Sequence, residues 1–191
     1  FGKHRNQCFV ENSDQLVIRP GRVQQGSENV ENRSLPALGE DLPDRHHRFE
    51  RRMIQGCEQE ADIDFTHTFF NNGRSTNSPF FGPVRAMLEL IQQKRRFIGV
   101  ARIKANLYTN QGTPIRHPSH YDVPPGSAES DKFCIGVYHV NRCNGFTVIG
   151  DQEIRSHDNQ LILFDNVSHY GTVQTDTDTR VVINFVLRTQ P

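Results

Sequence analysis

The segment Arg180-Val-Val-Ile-Asn-Phe-Val-Leu187 alternates with period two, and no other stretch restricts the fold as tightly. Val181, Ile183, Phe185 and Leu187 fall on one face; Arg180, Val182, Asn184 and Val186 fall on the other. Such a run is a strand, headed by an arginine with mostly apolar neighbours on its own face. A guanidinium placed there suits a carboxylate, which it grips through two parallel N–H···O bonds. Further short strand-like segments precede it: Phe133–Val140, Phe146–Ile149, Glu153–Ser156 and Leu161–Phe164. Asn144-Gly145 and Gly150-Asp151 supply turns. Many short strands separated by turn residues predict a mainly β chain, a sandwich or jelly-roll barrel.

The same half of the chain carries a second group. In His120-Tyr121-Asp122 a histidine and a carboxylate stand two residues apart, so in a strand both point one way and Tyr121 the other. His169 follows the run Gln160-Leu-Ile-Leu-Phe-Asp165 and stands eleven residues before Arg180. Two neutral imidazoles and one carboxylate can occupy one face of an Fe(II), leaving three positions open. The expected site is a metal held by His120, Asp122 and His169, with Arg180 as an anion anchor beside it. With nine histidines in the chain, an HxD triplet alone carries little weight. The order of the four residues and their strand context carry the reading. His117, His139 and His157 have no carboxylate two residues on and are read as substrate-facing or structural. His46-His47 lie in the charged run Asp44–Met53, where adjacent side chains do not face one site; they are read as solvated surface.

At 191 residues the chain fits one domain, 1–191, read as an N-terminal extension (1–80) and a helix plus β core (81–191). Lys and Arg number 22 against 22 Asp and Glu, so no global field favours nucleic acid or a membrane. The four cysteines, Cys8, Cys57, Cys134 and Cys143, form no CxxC pair and no disulfide framework. With no signal-peptide pattern and no apolar stretch near the length of a membrane span, a reducing, cytoplasmic setting is expected. Oligomeric state is not legible.

Towards the N-terminus, Cys8–Val10 and Gln15–Ile18 read as short strands, and 20–44 as an irregular excursion rich in Gly, Pro, Asn and charge. Phe65, Phe69, Phe70, Phe80 and Phe81 read as an aromatic cluster in a loop-rich stretch. Ser78-Pro79 predicts a helix start, with Ser78 as N-cap, running to about Arg96; Val84, Met87, Leu88 and Ile91 form its apolar stripe. Phe97–Tyr108 follows as a strand, with Arg102, Lys104, Asn106 and Tyr108 on one face. Residues 123–131 are a loop leaving directly from the HxD, where a substrate lid belongs.

These motifs taken together, Arg102–Tyr108, His120-Tyr-Asp122, Asn144-Gly-Phe-Thr147, Leu161–Asp165, His169 and Arg180–Phe185, resemble the 2-oxoglutarate/Fe(II)-dependent oxygenases. The likeness covers about residues 80–191 and is strongest to the small prolyl-hydroxylase-like members of phages and bacteria. It implies a double-stranded β-helix (jelly-roll, cupin-like) with a bracing helix, and Fe(II), 2-oxoglutarate and O₂ as cofactor and co-substrates. It also implies His120, Asp122 and His169 as metal ligands and Arg180 as the anchor for the distal carboxylate. By the same resemblance, Tyr108 and Asn106 are the expected further co-substrate contacts. Many members carry Ser or Thr two residues after the arginine; here that position is Val182, so the second donor must come from elsewhere, with Tyr108 the candidate. The implied reaction is hydroxylation of an aliphatic carbon, foremost a prolyl or other amino-acid residue in a peptide or protein, with small molecules open. Asp122 argues against halogenation, which needs the carboxylate's position for a halide. Two rival readings are a Zn(II) His₂Asp hydrolase, which leaves Arg180 unexplained, and a non-enzymatic jelly-roll binding module.

Overall fold

The computed structural model describes residues 9–11, 50–53, 63–127 and 129–189. Its strands are β1 (Phe9–Glu11), β2 (Glu50–Met53), β3 (Ile63–Asn71), β4 (Arg74–Ser75), β5 (Gly99–Thr109), β6 (Phe133–His139), β7 (Phe146–Ile149), β8 (Gln152–Arg155), β9 (Gln160–Asp165), β10 (His169–Gly171) and β11 (Thr179–Arg188). One helix, α1 (Phe81–Lys94), precedes β5, and a single 3₁₀ turn spans Ser130–Lys132. The strands form two antiparallel sheets. The large one runs β1-β9-β6-β11-β5-β3-β2, with β4 hairpinned onto β3; the small one runs β10-β7-β8. The expected Gln15–Ile18 strand, the 20–44 excursion and His46-His47 lie outside the described residues. No described helix is long and apolar enough to cross a membrane.

The alternation of β11 sorts the core into two layers. Phe185 and Leu187 turn to α1 and join Val84, Met87, Leu88, Ile91, Ile103 and Leu163. Val182 and Val186 turn the other way and join Ile135, Val137, Ile162 and Phe164, with Ile149 of β7 closing over them from the small sheet. Burying a side chain of this size contributes roughly 1.5–3 kcal/mol. The second layer is the chamber between the sheets, and Tyr108 stands at one end of it.

Three expectations are corrected. Helix α1 buries the four predicted residues but begins at Phe81, with Phe80 at the N-cap position. The Ser78 hydroxyl accepts Phe80 N–H at 3.3 Å and meets His67 Nε2 at 2.8 Å, so Ser78-Pro79 forms the turn before the helix. At the other end the helix stops at Lys94, and Arg95 is drawn to Asp165. The phenylalanine-rich stretch is not loop-rich: Phe65, Phe69 and Phe70 lie on β3, where a register shift between Thr68 and Phe70 breaks the period of two. Finally, His120–Asp122 is not a strand. His120 forms an isolated bridge opposite His169, and Asp122 lies in the bend that follows. Pro118, with no N–H to give, interrupts the ladder that His117 and His120 make with Gly171 and His169.

Candidate metal centre and anion pocket

The bridge between His120 and His169 is a fully hydrogen-bonded pair: each backbone N–H donates to the other's carbonyl, at 2.9 and 3.0 Å. Residues opposed in this way put their side chains on one face, and the ring centroids lie 4.6 Å apart. The bend after Tyr121 brings Asp122 to the same place. His120, Asp122 and His169 each offer one ligand atom, all within 4.8 Å of one another. Tyr121 is exposed, as expected.

Local hydrogen bonds fix how these groups are presented. His169 Nδ1 lies 2.9 Å from the Val167 carbonyl and His120 Nδ1 lies 3.2 Å from that of Pro118. A carbonyl only accepts, so both Nδ1 atoms carry the proton and both Nε2 lone pairs are left for a metal. Arg102 Nη2 donates to Asp122 Oδ1. The other carboxylate oxygen, Oδ2, is buried without a hydrogen-bond partner and stands 3.4 Å from His169 Nε2, which also has none. Buried polar atoms left like this are costly unless a ligand satisfies them. The donor set, two nitrogens and one carboxylate oxygen, therefore fits a divalent cation.

The ionisation of these groups agrees. Burial alone would raise the Asp122 pKa, but the groups that face its carboxylate, the His169 ring and the Arg102 guanidinium, pull it below the ordinary carboxylate range. The protein packed around the inner edge of His120, with His169 beside it, lowers the His120 pKa, though its outer edge is open to solvent. Both shifts favour a carboxylate and a neutral imidazole, the forms that bind metal.

Arg180 is paired in register with Tyr108 on the chamber face of the large sheet. It is 1% exposed, the largest fully buried side chain described. Nε donates to Ser156 Oγ at 2.9 Å, Nη1 to the Thr172 carbonyl at 3.1 Å and Nη2 to Thr147 Oγ1 at 2.9 Å. Of the five N–H groups of a guanidinium, that leaves one on each terminal nitrogen. Among the described residues no carboxylate pairs with it, and burial lowers its pKa from the ordinary value. A buried cation of this kind calls for an anion. Glycines make the room: a Cβ on Gly145 would stand 2.9 Å from Arg180 Cδ, and one on Gly171 3.1 Å from Nη1. Tyr108 brings its ring centroid to 5.7 Å from the guanidinium carbon and packs on His117 at 4.8 Å. Asn106, one step along β5 and 2% exposed, has a buried amide oxygen with no partner.

An oxidoreductase of the 2OG-Fe(II) oxygenase family from Burkholderia pseudomallei superposes with a TM-score of 0.50 at 10% identity, covering 74% of each chain. The fold is that of the 2-oxoglutarate/Fe(II)-dependent oxygenases. Two further structures with this oxygenase fold are similar at lower scores. The viral collagen prolyl hydroxylase of Paramecium Bursaria Chlorella virus-1, in its 2OG complex, gives 0.48 at 9% identity, covering 71% of this chain and 84% of that one. A Trichoplax adhaerens prolyl hydroxylase, bound to a hypoxia inducible factor peptide fragment, gives 0.44 at 13%, covering 64% and 62%. No protein-family model and no curated protein matches the sequence.

Sequence reasoning missed Arg102, which grips Asp122, and the Thr147, Ser156 and Thr172 contacts around Arg180. A signal existed for Arg102, which alternates with Tyr108 on one face of β5. None existed for Ser156, which reaches Arg180 only because the sheets face each other.

Proposed function

We propose that this chain is a 2-oxoglutarate- and Fe(II)-dependent dioxygenase that hydroxylates an aliphatic carbon. The observation that carries the reading is the pairing of two sites: a His-Asp-His cluster with ligand atoms within 4.8 Å, and a buried guanidinium with no carboxylate partner among the described residues. A Zn(II) hydrolase would use the first and leave the second without purpose.

His120, Asp122 and His169 would hold the iron, each histidine through Nε2 and the aspartate through Oδ2. When bound, Fe(II) supplies the O₂ activation that couples oxidative decarboxylation of 2-oxoglutarate, to succinate and CO₂, with hydroxylation of a substrate C–H bond. The protein's part is positional. The Val167 and Pro118 carbonyls hold the imidazoles in the right tautomer, and Arg102 occupies Asp122 Oδ1 so that a single oxygen is offered. Arg180 would take the distal carboxylate of 2-oxoglutarate on its two remaining N–H groups, with Tyr108 and Asn106 beside it. Ile149, Ile162, Phe164 and Val182 keep the chamber apolar and exclude water. The substrate class, a prolyl or other amino-acid residue in a peptide or protein, follows from the resemblance of the motif set.

Arg180→Ala tests the anchor. Removing one partner of a buried charge-assisted pair costs several kcal/mol, so the 2-oxoglutarate requirement should rise by about a hundredfold or more. Iron affinity should change little, because the three ligands stay in place. Arg180→Lys should fall between, keeping the charge and losing the fork. An unchanged co-substrate requirement in Arg180→Ala would mean that the anchor lies elsewhere.

A further inference from the structure

His139 is fully buried on β6, outside the candidate metal cluster. Its Nδ1 stands 2.8 Å from Gln160 Oε1 and its Nε2 stands 2.9 Å from Thr147 Oγ1, the hydroxyl that accepts Arg180 Nη2. One backbone group sets the direction of this chain of bonds. The His157 N–H donates to Gln160 at 3.4 Å, so the amide atom facing it is the oxygen. An oxygen there requires His139 to donate from Nδ1. Burial, and then the Arg180 guanidinium, hold the His139 pKa down at about 3, so the ring is neutral and Nε2 has a lone pair. The Thr147 hydrogen then goes to Nε2, and the Thr147 lone pairs face Arg180. The order is Arg180 to Thr147 to His139 to Gln160, each donating to the next. The direct approach of Arg180 Nη2 to His139 Nε2, 3.5 Å, is longer than either bond through Thr147, each 2.9 Å.

We propose that His139 is a positioning residue for the anion pocket: by taking the Thr147 hydrogen it turns the hydroxyl into a pure acceptor that fixes the Arg180 fork. This rests on the reading of Arg180 as the anchor for a distal carboxylate. With a protonated or Nε2–H His139, the Thr147 hydrogen would lose its acceptor and one of the two hydroxyl lone pairs would go to the imidazole, so the hydroxyl would no longer be fixed towards Arg180 Nη2. Thr147 itself spends its only hydrogen on His139, so it orients the arginine and offers the ligand no donor.

The test is calorimetric binding of 2-oxoglutarate to the Co(II)-loaded protein, with 2-oxopentanoate, which lacks the distal carboxylate, as a second probe. Thr147→Val and His139→Asn should each weaken 2-oxoglutarate about tenfold, the loss of one charge-assisted hydrogen bond. Thr147→Ser and His139→Gln should stay within about threefold, since the Gln amide reaches the Nε2 position and the Asn amide reaches only Nδ1. Affinity for Co(II) and for 2-oxopentanoate should hold in all four. The His139 pair answers the question by itself should Thr147→Val not fold. Nitrogen-15 NMR of the Zn(II)-loaded wild type should show His139 as the Nδ1–H tautomer, and the Nε2–H tautomer would overturn the proposal. So would equal losses in Gln and Asn, or 2-oxopentanoate weakening in parallel, which is the mark of a merely structural residue. Wild-type affinity in Thr147→Val and His139→Asn, with loss in Arg180→Gln, sinks the positioning role alone. No loss in Arg180→Gln sinks the anchor reading and this proposal together.

Discussion

His120 hangs on an isolated bridge with one edge in solvent, and Asp122 sits in a bend; Arg180 lies inside a ten-residue strand and is held on three sides. The two halves of one site are thus built to different tolerances. At the metal end the backbone is short and interrupted by Pro118, and the protein fixes only tautomer and carboxylate orientation. At the arginine end strand register, two glycines and a string of hydroxyls settle the geometry before any ligand arrives. Preorganisation of that kind lowers the ordering cost of binding. Under the proposed function, it would suit a pocket that takes the same dianion every cycle, with the metal end left open for substrate and O₂.

The comparison breaks most visibly at the metal end. Asp122→Ala removes the only carboxylate of the cluster and takes from Arg102 its Asp122 partner. Because even losing a group behind a metal ligand typically costs 10–100-fold, losing the ligand should weaken Co(II) or Fe(II) by more than about a hundredfold. A metal titration followed by thermal shift measures it; wild-type affinity would remove Asp122 from the site.

At the arginine end a smaller lesion should show how tight the pocket is. The Gly145→Ala methyl would stand 2.9 Å from Arg180 Cδ and 3.1 Å from the Thr172 carbonyl, and the pinned arginine has little room to yield. The expected loss is about tenfold in 2-oxoglutarate affinity, with metal affinity unchanged. The same substitution at Gly150, where nothing lies within 4 Å but φ is +61°, should cost stability alone. Equal behaviour of the two glycines in 2-oxoglutarate binding would mean that the pocket is softer than its hydrogen bonds imply.

Where one residue's period carries the information, the sequence was readable. The stripe Val84, Met87, Leu88, Ile91 and the two faces of β11 came out as expected, because each depends only on local spacing. The start of α1 did not, because Ser78 spends its hydroxyl on Phe80 N–H and His67, the latter a contact from another strand. Strand β3 was hidden by its register shift, and the HxD segment by Pro118. The four candidate residues His120, Asp122, His169 and Arg180 could be picked from type and order, and the fold brings the first three together. Arg102, Thr147, Ser156 and His139, which orient them, depend on which strands face each other, and no linear pattern records that.

The most direct test of the central claim is anaerobic titration of Fe(II) and then 2-oxoglutarate into the protein, followed by visible absorption. Both ends of the site must act on one ligand for the result to appear. A weak metal-to-ligand charge-transfer band should grow in to one equivalent of 2-oxoglutarate, be absent with Zn(II), and require far more 2-oxoglutarate in Arg180→Ala. No band in the wild type at saturating Fe(II) and 2-oxoglutarate would contradict the account.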